Sequence, residues 1–130
     1  MILKKLDSIN LDDFPVAIFG TGPAGITTAL ELEKKNIKCL LIEAGSENYS
    51  ENSQEFYKGK IIGDQITNLS SNRLRQFGGT SGVWGGWSKP MEKYNFDLWP
   101  LKAIDLNPYL KKSCEILNIK NQFRKSSLNE

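Results

Sequence analysis

Histidine is missing altogether from this 130-residue chain. Its absence removes the commonest general base and the commonest metal ligand from any chemistry the chain performs alone. Cysteine is scarce: Cys39 and Cys114 each sit in an apolar run, which fits buried thiols better than a disulfide or a metal site. Long apolar runs are missing too, with nothing approaching the roughly 18 residues a membrane span needs. The leading MILKKLDSINLDDF is interrupted early by acidic residues and holds no stretch suited to a signal peptide. Strong charge of either sign is lacking: a net +2 is too small to argue for nucleic acid or a membrane surface. The separate LKK, EKK and LKK segments read as solvated helix faces. A reducing, cytoplasmic setting is the expectation. What remains is ordinary globular material, 39% hydrophobic and 25% charged, enough for one domain or part of a larger one.

Residues 1–14 read as a polar lead-in with at most one short helical turn. PVAIFG is a short apolar run, Val16 to Phe19, ended by Gly20; runs without alternation suit a parallel strand covered on both faces. AGITTALELEKKN follows with apolar residues at Ile26, Ala29, Leu30 and Leu32, near helical spacing. Pro23 suits a first helical turn, and Lys34–Lys35–Asn36 suits a helix end. KCLLIEAG is a second apolar run, Cys39 to Ile42, so residues 15–45 spell a βαβ unit. SENYSENSQE reads as polar loop, and a short strand is expected around Ile61 and Ile62. PMEKYNFDLWP reads as irregular packed chain. Asn107–Pro108 reads as an N-cap and first position of a helix carrying Leu110, Cys114 and Leu117. Residues 119–130 form a polar tail.

GTGPAG sets Gly20, Gly22 and Gly25 in the G-x-G-x-x-G pattern. The three glycines have separate mechanical roles, with Gly20 for a sharp turn, Gly22 for close approach of a pyrophosphate and Gly25 for packing of helix on strand. The helix start then offers free N–H groups and the positive end of its dipole to phosphate. Glu43, 18 residues beyond Gly25, ends the second strand and can accept ribose hydroxyls while repelling a 2′-phosphate. The bland alternative is a glycine-rich turn that holds no nucleotide. The βαβ pattern itself does not choose between NAD and FAD, which share the ADP half. After Gly45, however, the chain leaves the βα pattern and arrives at RLRQFGGTSGVWGGW, residues 73–87.

GTGPAGITTALELEKKNIKCLLIEAG and RQFGGTSGVWGG together resemble the glucose–methanol–choline (GMC) family of FAD-dependent oxidoreductases. NFDLWP and NPYLKKSCEILNI also look like the segments that trail the second motif in that family. The first motif is shared by many FAD proteins; the second is considerably more specific. The resemblance implies an α/β fold with a Rossmann-like FAD-binding βαβ unit, an incomplete parallel sheet, then flavin-contacting loops and a helix, over residues 15–118. It implies cofactor contacts from Gly20, Gly22, Pro23, Ala24, Gly25, Glu43 and Ala44. In the second motif it implies that Gly78 and Gly79 pass close to the flavin, with Thr80 and Ser81 offering hydroxyls and N–H groups. Arg75 either neutralises phosphate or holds the loop. Trp84 reads equally as a wall of the flavin pocket and as a core residue; Trp87 reads rather as core, and Phe96 and Trp99 as packing. Val83 stands where some members carry a flavin-linked histidine, so non-covalent FAD is implied.

The resemblance further implies oxidation of an alcohol or sugar hydroxyl by hydride transfer to flavin. The family's base is a histidine late in a much longer chain, so no catalytic residue and no metal ligand is assigned here. The expectation is an N-terminal portion of such an enzyme, inactive alone, whose sheet is completed by a C-terminal segment or a second chain. A non-catalytic dinucleotide-binding module and one subunit of a split flavoprotein are the alternatives. Two parallel strands with open edges would otherwise expose apolar surface and unpaired backbone.

Overall fold

The computed structural model describes residues 2–5, 7, 9–64 and 67–120. Two compact units divide it, one ending at Gly85 and one starting at Gly86.

In the first unit a 3-10 turn, Leu11–Asp13, has its N-terminus capped by the Asn10 side chain accepting from Asp12 N. Strand β1, Val16–Phe19, pairs in parallel with β2, Cys39–Ile42, Val16 lying opposite Cys39 and Phe19 opposite Ile42. Helix α1, Pro23–Lys34, connects them and packs on both. Pro23 occupies its first turn, where the missing N–H costs nothing. The helix closes on Asn36 at φ 56, with Asn36 N donating to Glu33 O and Ile37 N to Leu32 O. That is the Schellman arrangement, with asparagine in place of the usual glycine. The fold is therefore mixed α/β with a two-stranded parallel sheet, as the apolar runs lead one to expect.

Coverage of the sheet differs from expectation. In β1, Val16 and Ile18 are half-buried while Ala17 and Phe19 are exposed, Phe19 to 80%. Ile18 lies on the α1 side, so the opposite face at β1 is uncovered; a single helix shields one face of a sheet only. Within α1, Ile26, Ala29 and Leu32 are half-buried and Leu30 is exposed, which narrows the apolar stripe.

The polar stretch expected as loop instead forms a short helix, α2 (Glu51–Gln54), continued by a 3-10 turn at Glu55–Tyr57. No strand forms around Ile61 and Ile62 among the described residues, and Ile62 is 89% exposed. Two apolar residues between Lys60 and Gly63 are too short a run to hold strand geometry there. Helix α3, Leu69–Asn72, precedes the second glycine stretch, which winds into a 3-10 helix at Gly79–Val83.

The second unit carries a 3-10 turn at Lys93–Phe96 and helix α4, Ala103–Ile116. Phe96 and Trp99 meet edge-to-face, centroids 6.1 Å apart, while Trp99 remains 50% exposed. Helix α4 begins earlier than Asn107 because Asp105 Oδ2 accepts from Lys102 N at 2.8 Å and caps the chain there. Pro108 thus sits inside the helix, where it removes the bond to Ile104 O. Asn118 at φ 52 closes α4 as Asn36 closes α1. Cys114 is buried on α4 and Cys39 half-buried on β2; both are free thiols. Trp87 is 93% exposed, not core: its segment, residues 87–92, forms no regular element. Residues 121–130, most of the expected polar tail, lie outside the described residues. No described helix is long and apolar enough to cross a membrane.

Candidate functional site

The site forms where β1 and β2 end. Gly20 N donates to Ile42 O at 2.7 Å, extending the ladder by one bond, and the chain then turns away at φ +99, a conformation that favours glycine. Gly22 is the N-cap of α1 in extended geometry, and Ile26 N donates back to Gly22 O. A Cβ on Gly25 would lie 2.0 Å from Gly20 O, so helix and turn approach as closely as only a glycine allows. A Cβ on Gly22 would meet nothing within 4 Å. The first-turn N–H groups of α1 have no intrahelical partner, which leaves this end of the helix suited to an anion. Pro23 and Ala24 stand at that turn, Pro23 exposed and Ala24 likewise.

Glu43 follows β2 immediately and reaches across to the glycine turn. Its Oε2 accepts from Thr21 N at 3.0 Å and from Thr21 Oγ1 at 2.5 Å, and its Oε1 accepts from Gly45 N at 2.7 Å. Burial raises its pKa, but hydrogen bonds from the Thr21 hydroxyl and from the N–H groups of Gly45, Thr21 and Ala44 outweigh this. The carboxyl is held below its ordinary 4.5 and is charged at neutral pH. Ala44 itself is exposed beside it.

The second glycine stretch comes to the same place. Ser46 and Gln76 form an isolated parallel bridge, and Phe77 N donates to Ser46 O at 2.9 Å. Gly78 N donates to Thr21 Oγ1 at 3.0 Å, and the Cβ position of Gly79 lies 3.6 Å from Gly22 Cα. Two motifs far apart in the chain therefore meet over the carboxyl ends of the strands. That end is where ligands enter open α/β sheets. No family model, curated protein or solved structure matches the chain.

Other residues singled out from the sequence have different surroundings. Thr80 Oγ1 accepts from Leu74 N at 3.1 Å, and Ser81 Oγ donates to Gly78 O at 2.6 Å, so both hydroxyls brace their own loop. The Arg75 guanidinium stacks 4.4 Å above the Phe56 ring, and its Nη1 donates to Ser53 Oγ at 3.0 Å. Of its two expected roles, holding the loop is the one these contacts perform. Trp84 is 47% exposed where the 3-10 helix ends, which sets aside its reading as a core residue. Val83 is also exposed.

Three residues that organise the site escape a reading of the sequence: Thr21, Ser53 and Gln54. Gln54 is 7% exposed; its Nε2 donates to Ser70 O and Arg73 O, and its Oε1 accepts from Arg75 N. Ser53 Oγ donates to Arg75 O. Helix α2 thus holds the backbone that leads into Gly78. A hydroxyl between two motif glycines is the available signal for Thr21; a polar run without periodicity offers none for Ser53 and Gln54. Among the described residues no cluster of His, Cys, Asp or Glu is arranged to hold a metal ion.

Proposed function

We propose that residues 20–25 are the pyrophosphate-binding turn of an FAD site, and that the chain supplies the ADP-binding portion of a GMC-type oxidoreductase acting on an alcohol or sugar hydroxyl. One observation carries the reading: Gly22 faces open space at the start of α1, between a glycine that turns the chain and one pressed against it. That division of labour is what a pyrophosphate needs, and a merely structural turn has no use for the empty position. The docking of Gly78 and Gly79 onto the same turn lends support, since it brings the second motif to where the flavin half would extend.

In this reading the chain's residues bind and orient. The N–H groups at the start of α1 would meet the phosphates, and Glu43 holds the turn's shape through its bonds to Thr21 and Gly45. Bound non-covalently, FAD would supply the hydride acceptor; the base that takes the hydroxyl proton comes from elsewhere, since the chain has no histidine. The uncovered face at Ala17 and Phe19 and the open strand edges favour completion of the sheet by further chain or a second chain.

Gly22→Leu tests the proposal. Because the position is open and its backbone extended, the variant keeps its stability to urea within about 0.5 kcal/mol of wild type. Flavin absorbance retained after dialysis against excess FAD falls to background. Equal flavin retention in both proteins refutes the phosphate turn, and a wild-type chain that retains none refutes FAD binding by these residues without further chain to complete the sheet.

A further inference from the structure

Thr21 is 2% exposed, the most buried side chain among the described residues, yet it is polar and lies between two glycines that the motif prescribes. Its hydroxyl has one proton. Gly78 N–H can only donate, so Thr21 Oγ1 accepts from it and gives its own proton to Glu43 Oε2. The direction of both bonds is therefore fixed. Glu43, in turn, joins the turn after β1 to the backbone after β2, at Gly45. Through Thr21, one carboxylate ties together the first glycine turn, the end of β2 and the second glycine stretch.

We propose that Thr21 is a positioning residue that fastens the Gly78–Gly79 turn to the Gly20–Gly25 turn, so that the flavin half of the cofactor is recognised only when this hydroxyl bridge is made. The proposal rests on the dinucleotide reading above. Thr21 is enclosed, so it acts through the placement of Gly78. Loss of the bridge would leave the phosphate turn standing, since Thr21 N still donates to Glu43. The second stretch would be free to lift from it. Binding of ADP, which needs the first turn alone, should then be spared. Binding of FAD, which needs both, should suffer.

The experiment compares FAD and ADP affinities for the full chain with Thr21 intact, Thr21→Val and Thr21→Ser. Valine keeps the volume and removes the hydroxyl; serine keeps the hydroxyl. The expected result is a fall of about tenfold in the FAD-to-ADP affinity ratio for Thr21→Val, ADP affinity changing less than about threefold, with the ratio restored by Thr21→Ser. A general loss of structure lowers both affinities together and leaves the ratio unchanged, which overturns the proposal. Amide hydrogen exchange at Gly78 in the free chain gives a second readout: Thr21→Val should speed it at least about tenfold while leaving Ile18 and Leu41 amides unchanged. Unaltered Gly78 exchange overturns the bridge whether or not ligand binds. A wild-type chain that binds neither ligand overturns the dinucleotide reading instead, and the bridge is then judged on Gly78 exchange alone.

Discussion

Replacing Gly45 with alanine asks how tightly the second glycine stretch is held against the end of β2. A Cβ on Gly45 would lie 2.3 Å from Arg75 O, 2.4 Å from Arg75 C and 2.5 Å from Gln76 N. All three are backbone atoms, so no rotamer change can make room. The 75–77 segment has to move outward, at an overpacking cost of about 1–3 kcal/mol. That movement also breaks the bond from Phe77 N to Ser46 O, worth about 0.5–1.5 kcal/mol net. The sum is a destabilisation of about 1.5–4.5 kcal/mol, a large fraction of the stability of a small unit. Gly59→Ala is the matched control: nothing lies within 4 Å of its Cβ position, and its change should stay within about 0.5 kcal/mol. Urea titration followed by tryptophan fluorescence reads both variants, Trp84 lying in the same unit. Gly45→Ala unfolding at the midpoint of Gly59→Ala would refute the close approach.

Gln54→Ala should remove three hydrogen bonds at a buried position and cost about 2–4 kcal/mol by the same titration. It should also shorten the protection of the Arg75 amide in hydrogen exchange. Glu43 gives a pH dependence with a defined sign: its folded pKa lies below its ordinary value, so its contribution is complete above that value and disappears as pH falls through the folded one. Measured midpoints should decline below about pH 4.5 more steeply in wild type than in Glu43→Gln, and parallel curves would contradict the assignment.

The βαβ portion of the first unit is legible residue by residue because each signal there is local. Val16–Phe19 and Cys39–Ile42 are bounded apolar runs, Pro23 marks the start of α1 and Asn36 its end, and the three glycines have separate steric duties. Helix α2 is illegible since four polar residues carry no periodicity; it exists because Ser53 and Gln54 find backbone partners far along the chain. The start of α4 is misleading in sequence because Asn107–Pro108 imitates a helix start, whereas the effective cap is the Asp105 carboxylate. The position of Glu43 at the strand end can be read from spacing, but its bonds to Thr21 depend on a turn conformation that spacing does not encode. Exposure of Trp87 follows from the lack of any surrounding regular element, which aromatic character cannot announce.

Among the described residues only Thr21, Gln54 and Cys114 are buried, while Phe19, Ile62, Trp87 and Leu98 each stand at least 80% exposed. Unfolding such a chain uncovers little apolar surface that is not already wet. Its heat-capacity increment should accordingly be small, because apolar exposure raises that increment and polar exposure lowers it. The usual calorimetric signature of a core would appear at a different step. If Phe19 and its neighbours are covered by further chain or a second chain, the large negative heat-capacity change belongs to that association. Assembly, rather than folding of this chain by itself, would then be the step most weakened by cold.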